Sequence, residues 1–297
     1  MKKLIAFIAI FILFTGSNIV KAQDLSPYIK VGGSNDNMEQ IADQVKIALQ
    51  EKGFEIIGKY NTLNNKNFLV IAFSRKDLQS TVLKVKDRGA LAAVLKVGLK
   101  TNGTQTTISY LNPEYLFNAY LMNDYPKYET ALQKVTKDVT AALSPLGEIN
   151  KGFGGALSVE KLRKYHYKMM MPYFTDPVEL KEFSSFEEGV KTIEKNLAAK
   201  KGNTKLVYKL KFASEKVAVF GVALMDKETG EGYFIPIIGD DHIAAMPYEI
   251  ILQGDTATML HGRYRLALHW PELTMGTFMK IMSSPGDIED TLEGLCE

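Results

Sequence analysis

The chain has 297 residues, with 36 Lys and Arg against 34 Asp and Glu, and 46% of it is hydrophobic. This length suits two domains of ordinary size. The near-balanced charge excludes the basic excess with which nucleic-acid-binding proteins neutralise phosphates. Cys296 is the only cysteine, so there is neither an internal disulfide nor a cysteine-built metal cage.

The first residues carry a targeting pattern. Lys2 and Lys3 form a basic start, Leu4 to Phe14 is unbroken apolar sequence, and Val20-Lys21-Ala22 has the small-residue form of a cleavage site. As a helix the apolar run would span about 16 Å, roughly half a bilayer core. The pattern predicts a secretory signal peptide over residues 1–22. No Cys follows it to accept a lipid. Loss of Lys2, Lys3 and Lys21 turns the net charge from +2 to −1. The expected protein is exported, periplasmic or secreted, without a transmembrane anchor once the signal is cleaved.

Tyr28 to Gly33 reads as a strand. Asp36 and Glu39 have capping-box spacing, and Met38, Ile41, Val45, Ala48 and Leu49 follow at helical period up to Gly53. Phe54 to Tyr60 and Phe68 to Phe73 read as strands, the second apolar throughout and so buried on both faces. Asp77 to Arg88 reads as a loop or short helix. Leu91 to Leu99 and Thr104 to Leu111 form a hairpin around Asn102-Gly103. Asn112 caps a helix opened by Pro113. Pro126 opens another, with Tyr128, Leu132, Val135, Val139 and Leu143 on one face.

After Lys151 to Pro177, a connecting segment with Gly-Gly and three consecutive Met, the order begins again. Val178 to Phe183 is a strand, and Ser184/Glu187 with Ser185/Glu188 overlap as two capping boxes. Phe186, Val190, Ile193 and Leu197 give a helical stripe that ends at Gly202. Thr204 to Phe212 and Val217 to Met225 are strands, and Tyr233 to Ile238 reads as an extra one. Met246 to Leu252 and Thr256 to Leu268 form a hairpin around Gly254-Asp255. Pro271 then opens a helix and Pro285 a last one. Gly53 and Gly202, Phe68 and Val217, Ala92-Ala93 and Ala244-Ala245, and Gly103 and Gly254 match at a nearly constant offset. Pro113 and Pro271 match at a larger one. The expected organisation is a first domain over 23–149, a connection over 150–177 and a divergent second copy over 178–297. Each is β-α-β4-α, an antiparallel sheet with helices on one face, which makes the chain α+β.

The segments "GFEIIGKYN", "FLVIAFSRKDL", "GALAAVLKVGL" and "LNPEYLF" resemble the domain of unknown function 302 (DUF302) family over about residues 34–143. The second half is similar to a more divergent copy, best at "HIAAMPYEIIL" and "WPELTMGTFM". The resemblance implies a TATA-binding-protein-like fold and brings neither catalytic residues nor a cofactor. Nucleic acid does not follow from it, because fold does not carry function.

No His pair has a zinc spacing. His261 and His269 fall on one expected strand, about 26 Å apart, too far to share a metal. His166 and Met169, in "HYKMMMPYF", are soft-ligand candidates for Cu(I), although consecutive Met residues cannot all face one ion. Asp240, Asp241 and His242 could act as acid and base or hold a cation. Tyr115, Tyr120, Trp270 and Met275 could line an apolar pocket between helix and sheet. The sequence therefore predicts a non-enzymatic envelope protein that binds a small apolar ligand or another envelope protein. The alternative is a cofactor-independent enzyme with its site between the domains.

Overall fold

The C-terminal sheet repeats the strand order of the N-terminal one. The computed structural model describes residues 24–297, so the signal-peptide expectation for 1–22 lies outside the described residues. In chain order the elements are β1 (Asp24–Leu25), β2 (Tyr28–Ser34), α1 (Met38–Glu51), β3 (Glu55–Tyr60), β4 (Phe68–Ser74), α2 (Lys76–Val82), β5 (Leu95–Asn102), β6 (Gln105–Leu111), α3 (Pro113–Leu121) and α4 (Tyr125–Leu143). The connecting segment supplies β7 (Lys151–Phe153), β8 (Leu157–Ser158) and α5 (Val159–Arg163). Then come β9 (Val178–Glu182), α6 (Phe186–Ala198), β10 (Thr204–Phe212), β11 (Val217–Leu224), α7 (Glu231–Ile238), β12 (Tyr248–Gln253), β13 (Thr256–Met259), α8 (Gly262–His269), α9 (Met275–Phe278) and α10 (Ser284–Gly294).

The first sheet runs β3-β4-β5-β6-β2-β7 and the second β10-β11-β12-β13-β9, while β1 and β8 pair alone. All of these pairings are antiparallel, giving a mixed α+β chain. β4 and β11, the two apolar strands, are buried along their whole length. Both hairpin turns place glycine at φ +62°, Gly103 and Gly254, in the left-handed region where a side chain would be strained.

The helices form where apolar spacing gives them a face to bury. In α1, Ile41, Ala42, Val45 and Leu49 are buried, and Asn37 caps it with Gln40 in a reciprocal capping box. The box therefore lies one residue later than Asp36/Glu39. In α4, Leu132, Val135, Val139 and Leu143 are buried. In α6, Phe186, Val190, Ile193 and Leu197 are buried, and Ser185 caps through the Glu188 amide.

The halves meet closely. The 3-10 turn Asp240–Ala245 packs on β4, β5 and β6, while the turn Gly89–Ala93 packs on β11 and β12. At the β3–β10 contact, a Cβ on Gly58 would lie 2.3 Å from the carbonyl oxygen of Val207. Only glycine allows that approach of two backbones.

Three expectations are corrected in the second half. Tyr233 to Ile238 is not a strand but part of α7. The strand expected over Thr256 to Leu268 ends at Met259, and α8 follows it. The alternation in "HGRYRLALH" matches a strand, but every residue of α8 except Arg263 is buried, so tertiary contacts override the pattern. Pro271 opens no helix: it lies in the turn after α8, and the next helix starts at Met275. The side chain that caps α8, as Asn112 caps α3, is therefore His261. Asn112 accepts from the Glu114 amide and His261 Nδ1 from the Arg263 amide, the same reach of two residues.

Candidate functional site

A cleft of about 370 Å³ opens between the end of α7, the turn at 240–245 and the segment from Trp270 to Thr277. Ile237, Ile238 and Leu273 give it apolar walls, and Asp241, His242, Glu272, Thr274 and Thr277 give it polar ones. Trp270 is almost fully buried, and its indole N–H donates to the Gly239 carbonyl at 3.1 Å, which fixes the ring against the α7 terminus.

His242 stands in a cage of aromatic rings. It stacks on Tyr28 at 4.8 Å and lies 5.5 Å from Trp270 and 5.6 Å from Phe153. Its Nδ1 is buried without a hydrogen-bond partner. Burial pushes its pKa down to about 4 against the pull of Asp241, so the imidazole is neutral near pH 7. Asp240 and Asp241 both accept from the Lys100 ammonium of β5, at 2.6 and 2.7 Å. Burial opposes the Lys100 charge, but these two bonds outweigh it and hold its pKa above the usual value. Asp241 and His242 thus share the cleft. Asp240 lies at its margin in the Lys100 link and is not one of the lining residues.

The other sequence candidates are dispersed. Tyr115 is fully buried, its hydroxyl donating to the Leu268 carbonyl at 2.7 Å. Tyr120 is buried with its hydroxyl 3.3 Å from His269 Nε2. Met275 is half exposed in a separate groove beside Tyr167 and Phe278. Of the four pocket candidates, only Trp270 lines the 370 Å³ cleft. His166 stacks on Tyr173 at 4.0 Å, its Nε2 is 2.6 Å from the Met171 carbonyl oxygen, and Met169 projects outward at 87% exposure. His261 and His269 are no longer strand neighbours: they begin and end α8.

Behind the cleft lies a buried polar core that sequence reasoning missed. Lys96 of β5 pairs with Glu249 of β12, and Arg265 of α8 pairs with the other oxygen of Glu249 at 3.1 Å. Arg265 also donates to the Ala245 and Pro247 carbonyls, at 2.5 and 2.8 Å, and lies 3.8 Å from the centre of the Tyr248 ring. Burial alone would raise the Glu249 pKa, but Lys96 and Arg265 together hold it below the usual range. Glu231, at the start of α7, accepts from the Tyr60 hydroxyl at 3.0 Å and from the Leu224 amide at 3.3 Å, and burial pushes its pKa up to about 7. The available signal was a lone charge inside each apolar run: "AVLKVGL", "YEIIL" and "YRLAL".

No protein-family model matches the chain, and no curated protein matches it. A solved structure is similar: the crystal structure of the uncharacterized conserved protein DUF302 from Bacillus stearothermophilus. The two are 16% identical, with a TM-score of 0.33, over 39% of this chain and 93% of that one. Among the described residues, no helix is long and apolar enough to cross a membrane, and no group of three or more His, Cys, Asp or Glu is placed to hold a metal.

Proposed function

We propose that this is an exported, non-enzymatic binding protein of the cell envelope, built as two copies of one DUF302-like, TATA-binding-protein-like unit. Its small-molecule site is the cleft at His242 and Trp270. The repeated strand order and the matched caps Asn112 and His261 support the duplication. The signal-like sequence of residues 1–22 supports export.

The observation that carries the site is its lining. Apolar walls stand beside two carboxylates, Asp241 and Glu272, and a neutral imidazole, with no Lys or Arg among the lining residues. That chemistry fits an organic cation with an apolar body: Glu272, beside the Asp241 carboxylate that Lys100 already shares, takes its charge, and the isoleucines and Leu273 take its carbon skeleton. Native mass spectrometry of the protein recovered from its own envelope tests this directly. A bound organic amine, lost in Glu272→Gln with Asp241→Asn, supports the reading. A bound carboxylic acid, or no ligand beside an unaffected variant, defeats it.

A second reading has one observation in its favour. Asp241 and an uncharged His242 face the same cleft, as a cofactor-independent enzyme would need. Turnover of any bound amine that disappears in His242→Gln, with binding retained, would favour it over simple binding.

A further inference from the structure

We propose that Met275, Met279 and Met282 form a thioether site for Cu(I) on the outer face of the helical run that starts α9. The three residues are spaced i, i+4 and i+7, and their exposures are 50%, 56% and 56%. Thr274 caps the run through the Thr277 amide. Backbone angles stay right-handed helical at Phe278, Met279 and Met282, so the turn Met279–Ile281 continues α9 without a break. Residues at these spacings share one face. Their first and last Cα atoms lie about 10 Å apart, and three rotatable bonds per side chain let the sulfurs converge above Met279.

Two further observations favour a soft metal over a plain apolar docking face. Among the described residues, five of the nine exposed large hydrophobic residues are Met, although Leu or Ile would serve docking equally well. A fourth thioether, Met171, joins Met275 in lining a small void of about 40 Å³ with Leu273 and Phe278. No carboxylate is among that void's lining residues. That void, which Met275 lines but Met279 and Met282 do not, offers a hard cation no oxygen charge, whereas thioethers select Cu(I). Arg263 is in the same lining, and Lys280 is on the helical run itself. Neither supplies a ligand. This site is distinct from His166 and Met169, since Met169 and Met170 point outward at 87% and 93% exposure.

The test is anaerobic competition between the full chain and a coloured Cu(I) chelator, with Cu(I) alone as probe. The triple variant Met275→Leu, Met279→Leu and Met282→Leu keeps the apolar volume and removes the sulfur. The wild type should withdraw one equivalent of Cu(I), and the triple variant none. Met169→Leu with Met170→Leu, and His166→Ala, should each bind as the wild type does. X-ray absorption of the loaded wild type should show sulfur ligands alone. The proposal fails if the wild type withdraws no Cu(I), if the triple variant matches it, if His166→Ala abolishes binding, or if nitrogen ligands appear. Circular dichroism shows whether each variant is folded.

Discussion

Lys96 and Glu249 occupy the same place in the two sheets and meet each other across the interface. Lys96 pairs with Ala72, the fifth residue of β4, and Glu249 with Gly221, the fifth residue of β11. One position thus carries opposite charges in the two halves, and they form a buried ion pair. Arg265 adds a second cation to the same carboxylate, so the cluster has two positive groups and one negative.

That imbalance predicts unequal effects of mutation. Glu249→Gln leaves two buried cations without a counter-charge and should cost about 3–5 kcal/mol. Lys96→Met leaves Arg265 and Glu249 as a balanced pair and replaces an ammonium with a side chain of similar length. It should cost about 1 kcal/mol or less, since apolar replacement in a buried cluster is often neutral. Urea denaturation of the two variants measures both. Equal losses would show that Lys96, not Arg265, is the main partner of the carboxylate.

Glu231 predicts a pH dependence whose sign is fixed. Burial raises its folded pKa to about 7 from an ordinary 4.5, so the folded state holds a proton that the unfolded state has released. Its contribution is therefore fully present below pH 4.5 and is lost as pH rises to 7, by about 3 kcal/mol in all. His242 works in the opposite direction. Burial depresses its pKa to about 4 from 6.5, and its contribution is lost as pH falls from 6.5. Because the two windows overlap, the difference between wild type and Glu231→Gln isolates the carboxyl group. The variant should gain on the wild type steadily from pH 4.5 to 7 and hold that gain above. A constant difference across that range in urea midpoints would refute the assignment.

Gly58→Ala probes the docking of the halves. The new methyl would sit against the Val207 carbonyl, and backbone cannot swing aside as a side chain tip can. Overpacking of this kind costs about 1–3 kcal/mol or more. Limited proteolysis should then cut the connecting segment around residues 164–177 faster than in the wild type. Gly103→Ala, strained but with nothing within 4 Å of its new Cβ, is the control that should leave this cleavage unchanged.

Much of the architecture was legible because local signals agreed with tertiary ones. The stripes of α1, α4 and α6 and the all-apolar β4 and β11 read correctly, since each buries what its period displays. The run after Met259 misled because α8 is buried from Tyr264 to His269 and exposes only Arg263, so it shows no polar stripe to mark a helix. α7 misled for a related reason: "YFIPII" carries a proline and three β-branched residues, yet it folds as a helix around the buried Glu231. The cleft was half legible. Asp241, His242 and Trp270 were each singled out, but nothing in the sequence pattern shows that the turn at 240–245 folds back onto the end of α8, which brings the adjacent Asp241 and His242 to Trp270.

The corrected cap carries the last prediction. Tyr120 and His269 are 149 residues apart and touch, and Asn112 and His261 stand at the same spacing as the caps of α3 and α8. If the two helices are one element used twice, a residue suited to one cap should serve at the other. Asparagine ranks among the best N-cap residues, while alanine costs about 1 kcal/mol. His261→Asn should therefore match or slightly exceed the wild type in thermal melting, and His261→Ala should lose about 1 kcal/mol or less, since the histidine cap is only partly buried. Asn112→Ala should cost more than His261→Ala, because Asn112 also donates to the Ser26 carbonyl at 2.8 Å. A His261→Asn variant less stable than His261→Ala would mean that the imidazole does more than cap. The shared spacing would then say nothing about a shared role.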